Sequence, residues 1–289
     1  MIAFQAQGGL GNQLFQYATA RRLALQHGCP LVVDLHWFKF PRVEETPRPL
    51  ELNHYQVIMR CATRREQMRW ALMRTHWARF LQPLLPLRVV REYGFGVNPE
   101  VFSAPPNSYL VGFWQSEAYF ADIRDQLLTE LSPIVPPGPE DLRVIERMQH
   151  GDAVSVHVRR GDYVSLASAS AYHGLCSLDY YHKAIQHIVG RVENPTLFVF
   201  SDDPAWTKAN LHSPFPTHYV DHNSACNAFQ DLRLMSLCRH HILANSSFSW
   251  WGAWLSRSTD GLVIAPAQWY AVDRPTPDLI PSRWIRMAG

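Results

Sequence analysis

Ala153-Val-Ser-Val-His-Val-Arg-Arg-Gly-Asp162 decides how this chain is read. A short β-branched run stops abruptly at two arginines, a glycine and an aspartate. Side chains alternate faces along a strand, so His157 and Arg159 point one way and Val156 and Val158 the other. The β-branched content predicts a buried strand with a fixed cation at its carboxyl end. In open α/β sheets, ligands bind outside the carboxyl ends of strands. A planar guanidinium suits a diphosphate there, because its fork donates two parallel hydrogen bonds. The competing reading is an Arg–Asp pair that closes a turn. On these ten residues alone the two readings weigh the same.

Outward from that strand, the second half alternates regularly. Residues 196–201, 217–220, 242–244 and 262–265 read as strands, and 178–189, 204–211, 227–238 and 248–255 as helices. Such alternation predicts a parallel, doubly wound sheet. Upstream, 2–6 reads as a strand, 7–11 as a glycine turn, 12–26 as a helix and 31–34 as a second strand. A loop at 42–49, a basic helix over 60–80, a strand at 109–113 and a helix at 118–131 follow. The proline-rich stretch 133–139 reads as a linker. The expected domains are therefore 1–135 and 140–289, with the extreme C-terminus returning to the first.

Composition limits the function classes. The chain has 289 residues, 47% hydrophobic and 18% charged, which suits a globular α/β protein of two modest domains. A net charge of +2 makes no case for nucleic-acid binding. There is no apolar run of about 18 residues to cross a membrane, and no signal-peptide pattern. Five cysteines without CxxC spacing read as reduced thiols, so a cytoplasmic location is expected. The basic segment 60–79 reads first as a solvated or cleft-lining helix, with a peripheral contact to an anionic inner-membrane surface as the alternative.

Three constellations could carry chemistry. Gly8-Gly9-Leu10-Gly11-Asn12-Gln13 lies between a strand and a helix, and Gly9 and Gly11 match the first two glycines of a dinucleotide fingerprint. Asp34 falls near the ribose-binding place. The third glycine position is Leu14, however, where a small residue is needed for close packing. A Rossmann oxidoreductase is thus one rival reading, and a tight turn with a capping Asn is the structural one. The second is Ser201-Asp202-Asp203-Pro204 at a strand end, able to accept hydrogen bonds from a base edge or ribose, or simply to start a helix. The third is Asn245-Ser246-Ser247-Phe248 before an aromatic helix, whose N-terminus favours a phosphate. Trp250, Trp251 and Trp254 are expected in the core. The many histidines show no metal-ligand spacing and no Asp-x-Asp pair is present, so no metal is expected.

Together and in this order, the motifs at 8–18, 157–162, 200–203, 231–240 and 245–255 resemble those of the bacterial α-1,2-fucosyltransferases of glycosyltransferase family 11. The resemblance implies an α/β, GT-B-like fold: two Rossmann-like domains facing across a cleft. It implies an inverting, metal-independent transfer of L-fucose from GDP-β-L-fucose to the 2-hydroxyl of a terminal β-galactoside, lactose-like or lipid-linked. No cofactor is implied, since GDP-fucose is a substrate. Arg159 would meet the β-phosphate, with Arg160 nearby. His157, Ser201, Asp202 and Asp203 would lie near the nucleoside. Asn245, Ser246, Ser247 and Phe248, with Gly9 and Gly11, would complete the donor site. Asn12 would face the reaction centre, with Gln13 as an alternative holder of the acceptor hydroxyl, and Asp162 would orient Arg159 or its turn. A non-catalytic binding protein on the same fold remains the second rival reading.

Overall fold

The structure, a computed structural model, describes residues 1–39, 48–75, 77, 80, 82–84, 86–94, 96–161, 171–172 and 174–289. The chain divides into two units: Met1–Ser132 with Pro277–Leu279, and Pro133–Thr276 with Ile280–Gly289.

The first unit contains β1 (Ile2–Gln5), α1 (Leu10–Gln26), β2 (Leu31–Asp34), α2 (His36–Lys39), β3 (Arg60–Cys61), α3 (Arg64–Arg69), β4 (Arg88–Arg91), β5 (Ser108–Val111) and α4 (Arg124–Glu130). Its sheet runs β3-β2-β1-β5-β4, with every pairing parallel. Strand order reverses between β1 and β5. Ile2, Ala3 and Phe4 of β1 are buried, as is most of α1, which makes that helix the spine of the unit.

The second unit contains α5 (Pro139–Met148), β6 (Asp152–Val158), α6 (Leu178–Val189), β7 (Pro195–Ser201), α7 (Pro204–Asn210), β8 (Thr217–Val220), α8 (Ala228–Leu237), β9 (His240–Ile242), α9 (Ser247–Trp254), β10 (Val263–Pro266) and β11 (Ile285–Met287). The sheet order is β11-β10-β9-β6-β7-β8, again parallel throughout. By order along the chain this is the 3-2-1-4-5-6 arrangement of a dinucleotide-binding sheet, and its switch point lies between β6 and β9. Val154, Val156 and Val158 pack with Tyr180, Tyr181, Ala184, Ile185 and Ile188 of α6. On the other face, Ala153, Phe198 and Phe200 meet Leu234 and Met235 of α8. Both faces of the sheet are covered, which is why its strands read as apolar runs. Trp250, Trp251 and Trp254 are buried, and Trp250 also packs against Trp284.

The segment 60–80 departs from the expected basic helix. It is a strand residue pair, the short α3 and a 3-10 turn at Leu72–Arg74. Thr63 starts α3 with a capping box: its hydroxyl accepts from Glu66 N, and the Glu66 carboxylate accepts from Thr63 N at 2.8 Å. The helix stops because Trp70 and Met73 turn into the core with Tyr109, and Arg74 reaches Asp34. Tertiary burial overrides a helical pattern here. The helix expected at 118–131 is likewise two 3-10 turns followed by the shorter α4. Pro139, read as the end of a linker, is the first residue of α5. Most of the loop expected at 42–49 lies outside the described residues.

Candidate active site

The carboxyl end of β6 carries the charged part of the site. Arg159 Nη1 lies 3.0 Å from Asp202 Oδ2, and the Arg160 backbone N–H donates to Asp202 Oδ1 at 2.8 Å. Both oxygens of Asp202 are therefore engaged by the turn after β6. Gly161 completes the arrangement, because a methyl at its Cα would collide with the Asp202 carboxylate. Arg160 is held differently: its guanidinium stacks 3.5 Å above the Trp206 ring, with Asp203 beside it at 3.4 Å. Asp203 also caps α7, its Oδ1 accepting from Trp206 N at 3.2 Å, and its own N–H donates to Ser201 Oγ. The helix-start reading of Asp203 and the Arg–Asp reading of the β6 turn both hold in this geometry. Among the described residues Arg159 pairs with Asp202; Asp162 lies outside them.

His157 sits inside this edge, 4% exposed, with its ring 5.5 Å from that of Phe248. Burial pushes its imidazole pKa down to about 4; the Asp202 charge opposes the shift and Arg159 adds to it. His157 is thus a neutral ring near neutral pH, and its Nδ1 has no hydrogen-bond partner among the described residues. Phe248 belongs to α9, which starts at the β9 side of the switch point. Ser246 is the N-cap of that helix, accepting from Phe248 N at 3.3 Å, and Ser247 opens its first turn. Asn245 is tied into the protein. Its amide donates to the carbonyls of Gly174 and Trp269 at 3.3 and 3.2 Å, and its Oδ1 takes the Cys176 thiol. It is 3% exposed and pins two loops together below the helix terminus.

The first unit's edge is built from carboxamides. Gly9 is the N-cap of α1, its carbonyl accepting from Asn12 and Gln13 N–H, and Gly11 is buried in the first turn. Gln13 is wholly buried: it donates to the Gly8 and Pro49 carbonyls, both at 2.9 Å, and accepts from Glu51 N. That removes Gln13 as a holder of the acceptor. Asn12 is partly exposed, and its Oδ1 accepts from Gln115 Nε2 at 2.8 Å.

Asp34 settles the oxidoreductase reading against itself. Its carboxylate is fully buried and accepts from Arg74 Nε at 2.8 Å and from Tyr109 Oη at 2.6 Å. Burial, with the Asp34 charge next, holds the Tyr109 hydroxyl well above its ordinary pKa, so it stays a donor. A carboxylate closed in this way cannot take a ribose, and Leu14, at 0% exposure, fills the space a small residue would leave.

Sequence reasoning missed three contributors. Trp206 carries Arg160, Gly161 makes room for Asp202, and Gln115 meets Asn12. The Gly161 role was latent in the Arg-Arg-Gly spacing; the other two come from segments with no motif. What this edge offers chemically is a preorganised guanidinium beside a helix N-terminus, at the switch point of a nucleotide-type sheet.

Known proteins share this sequence and fold. The model for glycosyl transferase family 11 matches residues 96–288. An α-1,2-colitosyltransferase of Escherichia coli is 32% identical over 296 residues, covering 99% of each chain. The galactoside 2-α-L-fucosyltransferase SEC1 of Bos taurus is 21% identical, over 100% of this chain and 74% of that protein. Among solved structures, a variant of Arabidopsis thaliana FUT1 in complex with GDP aligns over 97% of this chain and 71% of its own, with a TM-score of 0.53 at 13% identity, which shows a shared fold. With a nucleotide-type sheet order, an arginine at its switch point and a near full-length relative, the chain belongs to glycosyltransferase family 11, on a two-unit GT-B-like fold.

Proposed function

We propose that this glycosyltransferase moves L-fucose from GDP-β-L-fucose to O2 of a terminal β-galactoside, inverting the anomeric centre to give Fucα1-2Gal. The observation that carries this is Arg159, held by Asp202 at the switch point beside the α9 terminus. The galactose 2-hydroxyl attacks C1 of fucose, the C1–O bond to the β-phosphate breaks, GDP leaves with the electron pair, and the hydroxyl proton passes to the departing diphosphate or to water. Positive charge grows on the sugar and negative charge on the diphosphate. Arg159 meets that negative charge, and the backbone and hydroxyls of Ser246 and Ser247 add neutral donors. A preorganised donor of this kind is worth about 3–4 kcal/mol where removal has been measured in other enzymes. His157 and the Ser201–Asp203 end of β7 line the nucleoside side. The diphosphate needs no metal in this scheme, and Asn12 holds the acceptor.

A specific relative supports a second donor. Colitose is L-fucose without its 3-hydroxyl, so GDP-colitose presents the same diphosphate to Arg159. The deciding experiment is a mass-spectrometric transfer assay with GDP-fucose and GDP-colitose in competition, a panel of β-galactosides including lactose, and EDTA in one arm. One deoxyhexose on galactose O2, made equally with EDTA, supports the fucosyl reading and its metal independence. Preference for the dideoxy sugar moves the donor to colitose. GDP-fucose binding without turnover on any acceptor would favour a binding protein instead.

The acceptor's lipid-linked form and a peripheral location belong to the same proposal. Among the described residues no helix is long and apolar enough to cross a membrane. Met68, Leu72, Trp77, Phe80 and Leu84 are nevertheless 55–81% exposed, in a stretch that also carries Arg64, Arg65 and Arg69. Exposed apolar side chains among arginines suit an anionic bilayer surface. Co-sedimentation with phosphatidylglycerol vesicles tests it: a Trp77→Ser/Phe80→Ser/Leu84→Ser variant should stay in the supernatant, and unchanged binding removes this surface as the cause.

A further inference from the structure

We infer that Gln115 and Asn12 form a carboxamide clamp on a hydroxyl of the acceptor sugar, aimed by Trp114 and Glu92 as positioning residues; this rests on the glycosyl-transfer reading above.

The clamp lies at the switch point of the first unit's sheet. Asn12 follows β1 and Gln115 follows β5, the two strands between which the order reverses. The loop after β5 is unusual. Trp114 has φ 57°, a left-handed conformation that a bulky residue adopts only under constraint. The constraints are visible. Glu92, just past β4, accepts from Phe113 N at 2.7 Å and from Trp114 N at 2.9 Å. Such charge-assisted bonds are stronger than neutral ones. Glu92 can come so close only because residue 112 is glycine: a Cβ there would lie 2.5 Å from Glu92 Cβ. The Trp114 ring is 1% exposed, edge-on to Tyr119 at 5.6 Å, and Ser116 N donates to the Trp114 carbonyl. The outcome is one defined direction for the next side chain, which puts Gln115 Nε2 2.8 Å from Asn12 Oδ1.

Asn12 is partly exposed, so the contact lies at the surface of the unit and not in its core. Strain held by a buried ring and a carboxylate is a hallmark of sites that need fixed aim. The chemistry of the pair is suited to a neutral polyol. A carboxamide offers both donors and an acceptor; Asn12 Oδ1 is turned to Gln115, and its amino end lies over Gly8, where the missing side chain leaves it room. A sugar hydroxyl both donates and accepts, and it needs no counter-charge.

The test is steady-state kinetics of Gln115→Ala in the full-length chain, with lactose and its monodeoxy-galactose analogues. The KM for acceptor should rise about five- to tenfold, the worth of one neutral hydrogen bond, while the KM for donor stays unchanged. On the one analogue lacking the clamped hydroxyl, wild type and variant should become equal. Trp114→Ala and Glu92→Gln should raise the acceptor KM in the same selective way, with Glu92→Gln the milder. Gln115→Asn, one methylene shorter, serves if the alanine variant folds poorly. An unchanged acceptor KM, or a penalty identical on every analogue, overturns the clamp and leaves the transfer reading standing. Absence of transfer by the wild-type enzyme overturns both.

Discussion

The two sheets end in opposite kinds of chemistry. At the carboxyl edge of the second unit, two arginines and two aspartates are partly open to solvent and interlocked around Gly161. At the same edge of the first unit, the charge is driven inside, as Asp34 and Arg74 under the Tyr109 hydroxyl, and carboxamides remain above it. On the proposed function, the same parallel architecture serves a charged ligand in one unit and a neutral one in the other. The lesson is that sheet topology sets where a ligand goes, and side-chain charge sets which ligand it is.

The contrast can be broken at either end. The largest effect should come from Asp34→Ala, which leaves Arg74 with no counter-ion at a buried site. Breaking such a pair costs about 3–5 kcal/mol, so urea unfolding should show the loss while any transfer that survives keeps its KM values. Arg159→Ala should do the reverse: transfer falls by about 10²–10³-fold with thermal stability nearly intact. Arg159→Lys should also be poor, since a point charge does not replace the bidentate fork. A fully active Arg159→Ala enzyme would end the donor assignment. Gly161→Ala comes next. The added methyl displaces Asp202 and lets Arg159 drift, so activity should drop by roughly 10–100-fold, with donor affinity weakened and acceptor affinity retained.

The smallest effect is on acid stability. His241 is 1% exposed on β9, its Nδ1 2.9 Å from Ser155 Oγ, and burial followed by the neighbouring His240 pushes its pKa down to about 3. The unfolded chain, with an ordinary histidine near 6.5, binds the proton first. The stability contributed by keeping His241 neutral is therefore complete above about pH 6.5 and is lost as pH falls towards 3. His157, lowered to about 4, acts in the same direction. His241→Gln should flatten the fall of Tm between pH 7 and 5 relative to wild type. Parallel Tm profiles would assign the acid sensitivity elsewhere.

Much of this was readable from sequence, for a physical reason. Inner strands covered on both faces leave continuous apolar runs, and 153–158, 196–201 and 31–34 are legible on that basis. Short edge strands leave little trace: Arg88-Val-Val-Arg91 has charges at both ends, and β11 is only three residues. The 60–80 segment misled because its helical spacing competes with the inward pull of Trp70, Met73 and Arg74. At the site, the adjacent carboxamides Asn12 and Gln13 are indistinguishable in sequence. Gln13 turns inward because the Pro49 carbonyl and Glu51 amide arrive from a distant loop. The partners of Asn245 are equally out of local reach, lying 71 and 24 residues away. The left-handed turn at Trp114 had no local signal, since glycine or asparagine is the usual marker.

The three residues Pro277–Leu279, which belong to the first unit, have a consequence for recombining family members. Asp278 accepts from Val97 N at 2.8 Å, while β11 follows it and closes the second unit's sheet. A chimera cut once at 132/133 would carry the donor parent's version of that tripeptide against the acceptor parent's Val97 loop. Swapping specificity between relatives therefore calls for two exchanged blocks, the N-terminal 132 residues and this short graft.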